Sequence, residues 1–389
     1  MTYIAAVGML NALGNNADDI AQNLVLGKSP GMYARSDWLQ PDESCFLGGI
    51  EEVELPIIPE PLFMHNSRNN QLLLAALMQI KPQVETAIAF HGRDRIAVIM
   101  GTSTSGLDEG DKHVSRGIKQ LPDANYHYYQ QELGDPSRFL ASYLNIEGPA
   151  FTISTACSSS SRAIISGQRL IEMGLVDVAI VGGADTLSRM PINGFNSLES
   201  LSRTQCAPFC ENRQGITIGE ASTLLLLTKA PQPVALLGVG ESSDAWHMSA
   251  PHPEGKGAID AINMALNNAR LSPQDIGYIN LHGTGTKLND QMESLVINQL
   301  FGENTPCSST KHLTGHTLGA AGACEAALCW ILLTRELPLP AQDFSRSERD
   351  KSLPACGLLS QSQALAKPIV MSNSFAFGGN NTSLILGAA

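Results

Sequence analysis

The 389-residue chain is short of aromatic residues (5%) and of charge (16%), and the charge it has is mostly negative. Its 25 Lys and Arg against 37 Asp and Glu leave a formal charge of −12, which excludes a nucleic-acid backbone as a general partner. No apolar run approaches the length of a bilayer-spanning helix. The opening Met1-Thr-Tyr-Ile-Ala-Ala-Val-Gly8 reads directly as a strand with no basic segment before it. No signal peptide is therefore expected, and cytoplasmic residence follows as the expectation. The eight cysteines (45, 157, 206, 210, 307, 324, 329 and 356) lack paired metal-binding spacing. Reduced thiols are expected rather than a zinc site. What is plentiful is apolar side chain, 43% of the chain, enough for two domains or one large layered unit.

Strand and helix patterns alternate from end to end, which implies an α/β fold with a largely parallel sheet covered by helices. The stretch Ala230-Pro-Gln-Pro233 divides the chain into 1–232 and 233–389. Each part opens on a strand ending in glycine, at Gly8 and at Gly240. Each later reaches a Gly/Thr/Ser loop: Met100-Gly-Thr-Ser-Thr-Ser-Gly106 in one and His282-Gly-Thr-Gly-Thr286 in the other. An internal duplication is expected, with functional groups of both halves meeting where strand ends converge. Two segments, after Cys157 and after His316, are apolar or small nearly all round, and such helices belong in an interior. Two central helices between two sheets would make a five-layered sandwich.

Ser154-Thr-Ala-Cys157-Ser-Ser-Ser160 lies between the strand pattern ending at Ile153 and the first of these helices. Unpaired N–H groups at a helix start favour a thiolate, so Cys157 is a candidate nucleophile. The plainer alternative is a buried structural cysteine. Two more segments bear on the choice: Asn280-Leu-His282-Gly-Thr284-Gly-Thr286, and Ser309-Thr-Lys311-His-Leu-Thr-Gly315-His316. Two neutral imidazoles aimed at one spot would offer two donors to a developing enolate oxygen, with Lys311 supplying positive potential. A cysteine protease needs only one histidine and an orienting partner, so this set points instead to carbon–carbon bond formation by acyl transfer. Glu325, a carboxylate in an apolar helix, requires Lys311, a bound cation or backbone donors.

These segments, together with Asn373-Ser-Phe-Ala-Phe377-Gly-Gly-Asn-Asn381, closely resemble the β-ketoacyl-[acyl carrier protein] synthases, over essentially the full length. The resemblance implies a thiolase-like αβαβα sandwich of two duplicated halves. It implies that Cys157 carries the acyl group and that His282 and His316 support decarboxylation of a malonyl thioester. Lys311 would support the site, and Phe377 would gate it while sharing the oxyanion hole with Cys157. Thr284, Thr286 and Gly378 would bind substrate, and Thr104 would set acyl-pocket depth. Asn280, Glu325, Ser372 and Asn373 would hold a monovalent cation. Arg68, Arg116 and Lys119 would dock an acidic acyl carrier protein. No cofactor is implied beyond the phosphopantetheine carried by that partner, and the assembly implied is a dimer, identical or with a paralogous subunit.

Departures from the family pattern are Ala376 in the gating loop, Asn380-Asn381 after the glycine pair, Cys210, Ile216 and the small Thr104. They leave two pathways open, fatty acid synthesis and a specialised role resembling the aryl polyene or polyketide-type synthases. A silent chain-length-factor-like partner remains an alternative, although such partners resemble loss of the nucleophile that is present here. A thiolase is the third reading, with Cys356-Gly357 superficially like its second active-site cysteine.

Overall fold

In a computed structural model describing residues 1–40, 43–50, 53–121 and 125–389, a main sheet of ten strands stands beside a small three-stranded one of Met32–Arg35, Cys45–Gly48 and Ile218–Gly219; the main sheet positions the site. In spatial order it runs Cys307–Ser308, Tyr278–Asn280, Ile369–Phe375, Asn380–Ala388, Val234–Ser243, Thr2–Leu10, Ala221–Thr228, Val178–Asp185, Ile96–Gly101, Ala150–Ile153. Counted outward from the middle, each side uses its first, fifth, fourth, second and third strand. The two sides therefore share one topology about the junction of Thr2–Leu10 with Val234–Ser243, where only two residues of each strand pair.

The sheet is mixed, which corrects the largely parallel expectation. Strands joined through a crossover helix are parallel, as in Ile96–Gly101 with Ala150–Ile153 and with Val178–Asp185. The last strand of each half returns instead as an antiparallel neighbour of the fourth and first. Helix–strand alternation fixes direction only where a helix intervenes. Between Ile369–Phe375 and Asn380–Ala388 there is only the turn 376–379, a hairpin.

Both faces of the sheet are covered, which is why its strands read as unbroken apolar runs. Alternate residues serve different cores. Ala97, Ile99, Ala179 and Val181 face a central core with Ile164, Ile165, Ala323, Ala327 and Leu328. Their neighbours Val98, Met100, Val178 and Ile180 face an outer core with Leu72, Leu77, Phe139 and Leu140. A third core joins Ile279, Met371 and Ile385 to Ile262, Leu266, Val296 and Ile297 on the opposite outside. The result is five layers: outer helices, sheet, two central helices, sheet, outer helices. The central helices are Ser159–Glu172 and Ala321–Thr334. They approach closely, since a Cβ on Gly322 would lie 1.8 Å from Ser161 Oγ. The N–H of Ala323 donates to Ser160 Oγ at 2.9 Å, pinning their leading ends together. Truncating a core side chain such as Ile164 would cost about 2–5 kcal/mol.

Candidate active site

The serine-rich run around Cys157 is a set of local caps. Ser159 Oγ accepts from the Thr155 N–H and donates to the Ala156 carbonyl, at 2.9 and 2.6 Å, while Ser158 Oγ donates to the Thr155 carbonyl at 2.8 Å. These bonds turn the chain sharply from strand to helix and hold Ala156 at φ 51°, a left-handed conformation costly for a residue with a side chain. Cys157 is thereby presented into a cavity of about 510 Å³. Cys157 Sγ and a ring nitrogen from each of His282 and His316 lie within 4.8 Å of one another, and all three side chains are buried.

Each imidazole is held in one tautomer. The Leu318 N–H donates to His316 Nδ1 at 3.1 Å, and Lys311 Nζ stands 3.4 Å from His282 Nδ1. With both Nδ1 atoms engaged as acceptors, each ring carries its proton on Nε2 and offers an N–H donor. Burial, and after it the Lys311 charge, holds both histidines well below their ordinary value, so both are neutral. Lys311 is itself buried and ion-paired with Glu325, which answers what partners that carboxylate. Burial also pushes the Cys157 thiol up to about 11, against the lowering effects of the Phe377 N–H, the Lys311 charge and the cysteine's own N–H. Desolvation thus outweighs the N–H donors around the sulfur, and the resting sulfur is a thiol. That corrects the thiolate expected from its position before a helix. Two N–H groups, of Cys157 and Phe377, therefore face the sulfur.

Thr284 and Thr286 line the cavity, with their hydroxyls 2.9 Å apart. Phe377 lines it too, against Phe195 at a centroid separation of 5.2 Å. Gly378 stands outside the lining, at φ 82°, with its N–H on the Met248 carbonyl at 2.9 Å. Thr104 is buried, donates its hydroxyl to Asp185 at 2.6 Å and is not among the residues lining this cavity. Arg68 pairs its guanidinium with Glu220 and donates to the Ile50 carbonyl. Arg116 and Lys119 are exposed, at the end of the helix Leu107–Ile118. Asn280, Glu325, Ser372 and Asn373 are all buried, with Asn280 and Ser372 side by side in register. Asn280 Oδ1, Glu325 Oε2, Ser372 Oγ and Asn373 Oδ1 have no hydrogen-bond partner, and four orphaned oxygens are a donor set that a hard monovalent cation fits.

Three buried carboxylates carry no motif in the sequence yet build the site. Glu293 accepts the N–H groups of His282 and Gly283, both at 2.7 Å. Asp290 accepts those of Phe209 and Gly285. Asp185 gathers the loop 102–104. Asp185 alone has a sequence clue, its place at the end of an apolar strand, the kind of signal that drew attention to Glu325; Glu293 and Asp290 sit in a helix of mixed polarity.

A cysteine, two neutral imidazoles and a buried lysine thus meet at one cavity of a thiolase-like sandwich. The chain belongs to the β-ketoacyl synthase family: residues 74–232 match its N-terminal domain and residues 234–344 its C-terminal domain. It is 29% identical to 3-oxoacyl-[acyl-carrier-protein] synthase 2 of Synechocystis sp., over 98% of this chain and 96% of that protein. It is 31% identical to nodulation protein E of Rhizobium meliloti, over 87% and 88%. Among solved structures it is similar to a chain of the ketosynthase in complex with its chain length factor from Xenorhabdus doucetiae, at TM-score 0.98 and 81% identity over 100% and 98% of the two chains. It also resembles the ishigamide ketosynthase/chain length factor, at TM-score 0.88 and 26% identity over 100% and 99%.

Proposed function

We propose that this chain is the catalytic condensing subunit of a specialised, aryl polyene or polyketide-type synthase. The observation that carries the reading is the convergence of Cys157, His282 and His316 within 4.8 Å. Cys157 attacks an acyl-carrier thioester, its proton leaves with the carrier thiol, and the acyl oxygen rests between the N–H groups of Cys157 and Phe377. His282 and His316 then donate to the thioester oxygen of a malonyl-carrier protein, so that loss of CO2 leaves a stabilised enolate. The enolate carbon attacks the acyl carbon and expels the Cys157 sulfur, releasing a β-ketoacyl-carrier protein. Thr284 and Thr286 serve the phosphopantetheine arm, which is the carrier's and not a cofactor of this chain. Asn280, Glu325, Ser372 and Asn373 are suited to hold a structural monovalent cation, and no catalytic step needs it.

The carrier docks, in this reading, near Arg116 and Lys119. The second subunit is a paralogue, as the two ketosynthase/chain-length-factor structures suggest by analogy. Among the described residues the outer strand Ala150–Ile153 has no neighbour on one side and leaves Phe151 41% exposed, so it offers an edge for that subunit to cover. We take 1–232 and 233–389 as the duplicated units on the strength of their shared strand order. Cytoplasmic residence accords with eight free cysteines, and no helix among the described residues is long and apolar enough to cross a membrane. The silent-partner reading is disfavoured by an intact set of reacting groups. The thiolase reading is disfavoured because Cys356 contacts Cys307, away from Cys157. Mass spectrometry after incubation with an acylated carrier protein tests the proposal. An acyl adduct on Cys157 is expected, and an unmodified cysteine in folded protein refutes it.

A further inference from the structure

Asp185 is the last residue of the strand Val178–Asp185, and its carboxylate is fully buried. Among the described residues it has no cationic partner; its charge faces oriented donors instead. Oδ1 accepts from Thr102 Oγ1 at 2.6 Å, Thr104 Oγ1 at 2.6 Å, the Ser103 N–H at 2.9 Å and the Thr104 N–H at 2.8 Å. Oδ2 accepts from the Ser103 N–H at 3.0 Å and from the Ala320 N–H at 3.2 Å. Burial raises its pKa, and the hydroxyl and N–H donors lower it. A carboxylate fits such a set because it only accepts, whereas an amide would turn a donor toward other donors.

The segments it ties together end at the two reacting groups. Ser103 Oγ donates to the Ala156 carbonyl at 3.4 Å, one residue before Cys157. Ala320 lies in the turn Leu318–Ala320, whose Leu318 N–H fixes His316 Nδ1. Ala156 and Leu318 are both non-glycine residues in the left-handed region, at φ 51° and 52°. Conformations of that kind persist only where the surroundings over-determine them. Between them the backbone passes so near Asp185 that a Cβ on Gly319 would lie 2.7 Å from Oδ2.

We propose that Asp185 is a positioning residue that locks the strained turns before Cys157 and after His316 into one frame, setting the distance between nucleophile and imidazole across the two halves. The inference rests on the condensing function assigned to those two groups. Asp185 touches no reacting atom, so its effect must be read at His316 and Cys157 themselves. Replacing Asp185 by Asn in the full-length protein, labelled with 15N-histidine and assigned with His316→Ala, gives that reading. In the parent protein His316 should appear as the neutral Nε2–H tautomer. In D185N that signature should be lost while the His282 signal, held by Lys311 and Glu293, stays in place. Alkylation of Cys157 by iodoacetamide should change by roughly threefold or more. General loosening would move both histidines alike. Should D185N fail to fold, the pair Thr102→Val with Thr104→Val removes two donors and leaves the carboxylate, and the same selective change at His316 is expected in smaller degree. An unaltered His316 signal and alkylation rate in whichever of these proteins folds overturns the proposal, as does an equal shift at both histidines. None of these readouts needs a substrate. A parent protein that never accepts an acyl group would refute the assigned function and leave the role of Asp185 to be decided by the spectra.

Discussion

The two halves follow one strand order and end in the same antiparallel pair, but they join that pair differently. In the C-terminal half the turn 376–379 is a tight hairpin, and it carries Phe377. In the N-terminal half the same junction, from Asp185 to Ala221, is opened by residues 186–220, whose Phe195, Leu198, Ser200 and Arg213 line the cavity. Their central helices are likewise paired, with a left-handed residue just before one and at the turn leading into the other, yet one presents a thiol and the other an imidazole. The two halves thus offer two equivalent places, and on the proposed function chemistry would divide between them: one half would hold the acyl group, the other the donors that make the enolate.

The strongest test of that division separates the partial reactions. Cys157→Ala should abolish the acyl adduct and lower condensation on the order of 10⁴-fold or more, while malonyl decarboxylation persists. His282→Ala and His316→Ala should each keep the adduct and lose about 10²–10³ in decarboxylation, as removal of an oxyanion donor does elsewhere. Loss of both activities in either class of variant would mean that the halves do not act separately. Carbon dioxide release and intact-protein mass measure the two steps independently.

The pH dependence of Cys157 sharpens the same contrast. The thiol stands near 11 and both imidazoles stay neutral. Its alkylation in the free protein should therefore rise about tenfold per pH unit above neutrality, following the thiolate fraction. No step should appear near the ordinary histidine range of about 6.5. A plateau beginning there would mean a preformed thiolate–imidazolium pair, and the comparison with a cysteine protease would return. Next in size is the Lys311–Glu325 pair, which belongs wholly to the C-terminal half. Lys311→Met would strand a buried carboxylate and should cost about 3–5 kcal/mol, read by chemical unfolding. Lys311→Met with Glu325→Leu should recover much of it. Equal losses in the two would show that a stranded Glu325 carboxylate is not what destabilises the single variant.

How much of this the sequence could disclose follows from what each signal encodes. The strand Val234–Ser243 is evident from its apolar run, because both sheet faces are largely buried there, and the helix Lys256–Ala269 from its periodic apolar positions. Strand direction is not, since nothing in a strand's composition records which neighbour it meets. Cys157, His282, Lys311 and His316 stand in motifs, so their convergence could be anticipated. The protonation state of Cys157 could not, because the helix start is visible in sequence and the depth of burial is not. Thr104 and Arg68 show the same limit from the other side. Their bonds to Asp185 and Glu220, remote in sequence, leave no mark in the residues around them. Buried carboxylates such as Glu293 and Asp290 act through backbone N–H groups, which every residue has, and so leave no residue pattern to find.

The smallest effect asks whether the two unlike hairpins meet in one gate. Phe195 from the opened junction and Phe377 from the tight one stand 5.2 Å apart, tilted by 35°. Such a ring pair contributes about 0.5–1.5 kcal/mol beyond the area it buries. Phe195→Ala and Phe377→Ala, alone and together, form a cycle in which kcat/KM for an acylated carrier protein reports the coupling. If the rings act as a single closure, the double variant should fall short of the summed losses by that amount. The shortfall should lie in acyl loading, since the imidazoles that decarboxylate are held from the other side by Lys311 and Leu318. Strict additivity would mean that the insertion in the N-terminal half merely walls the cavity, and that gating belongs to the C-terminal hairpin alone.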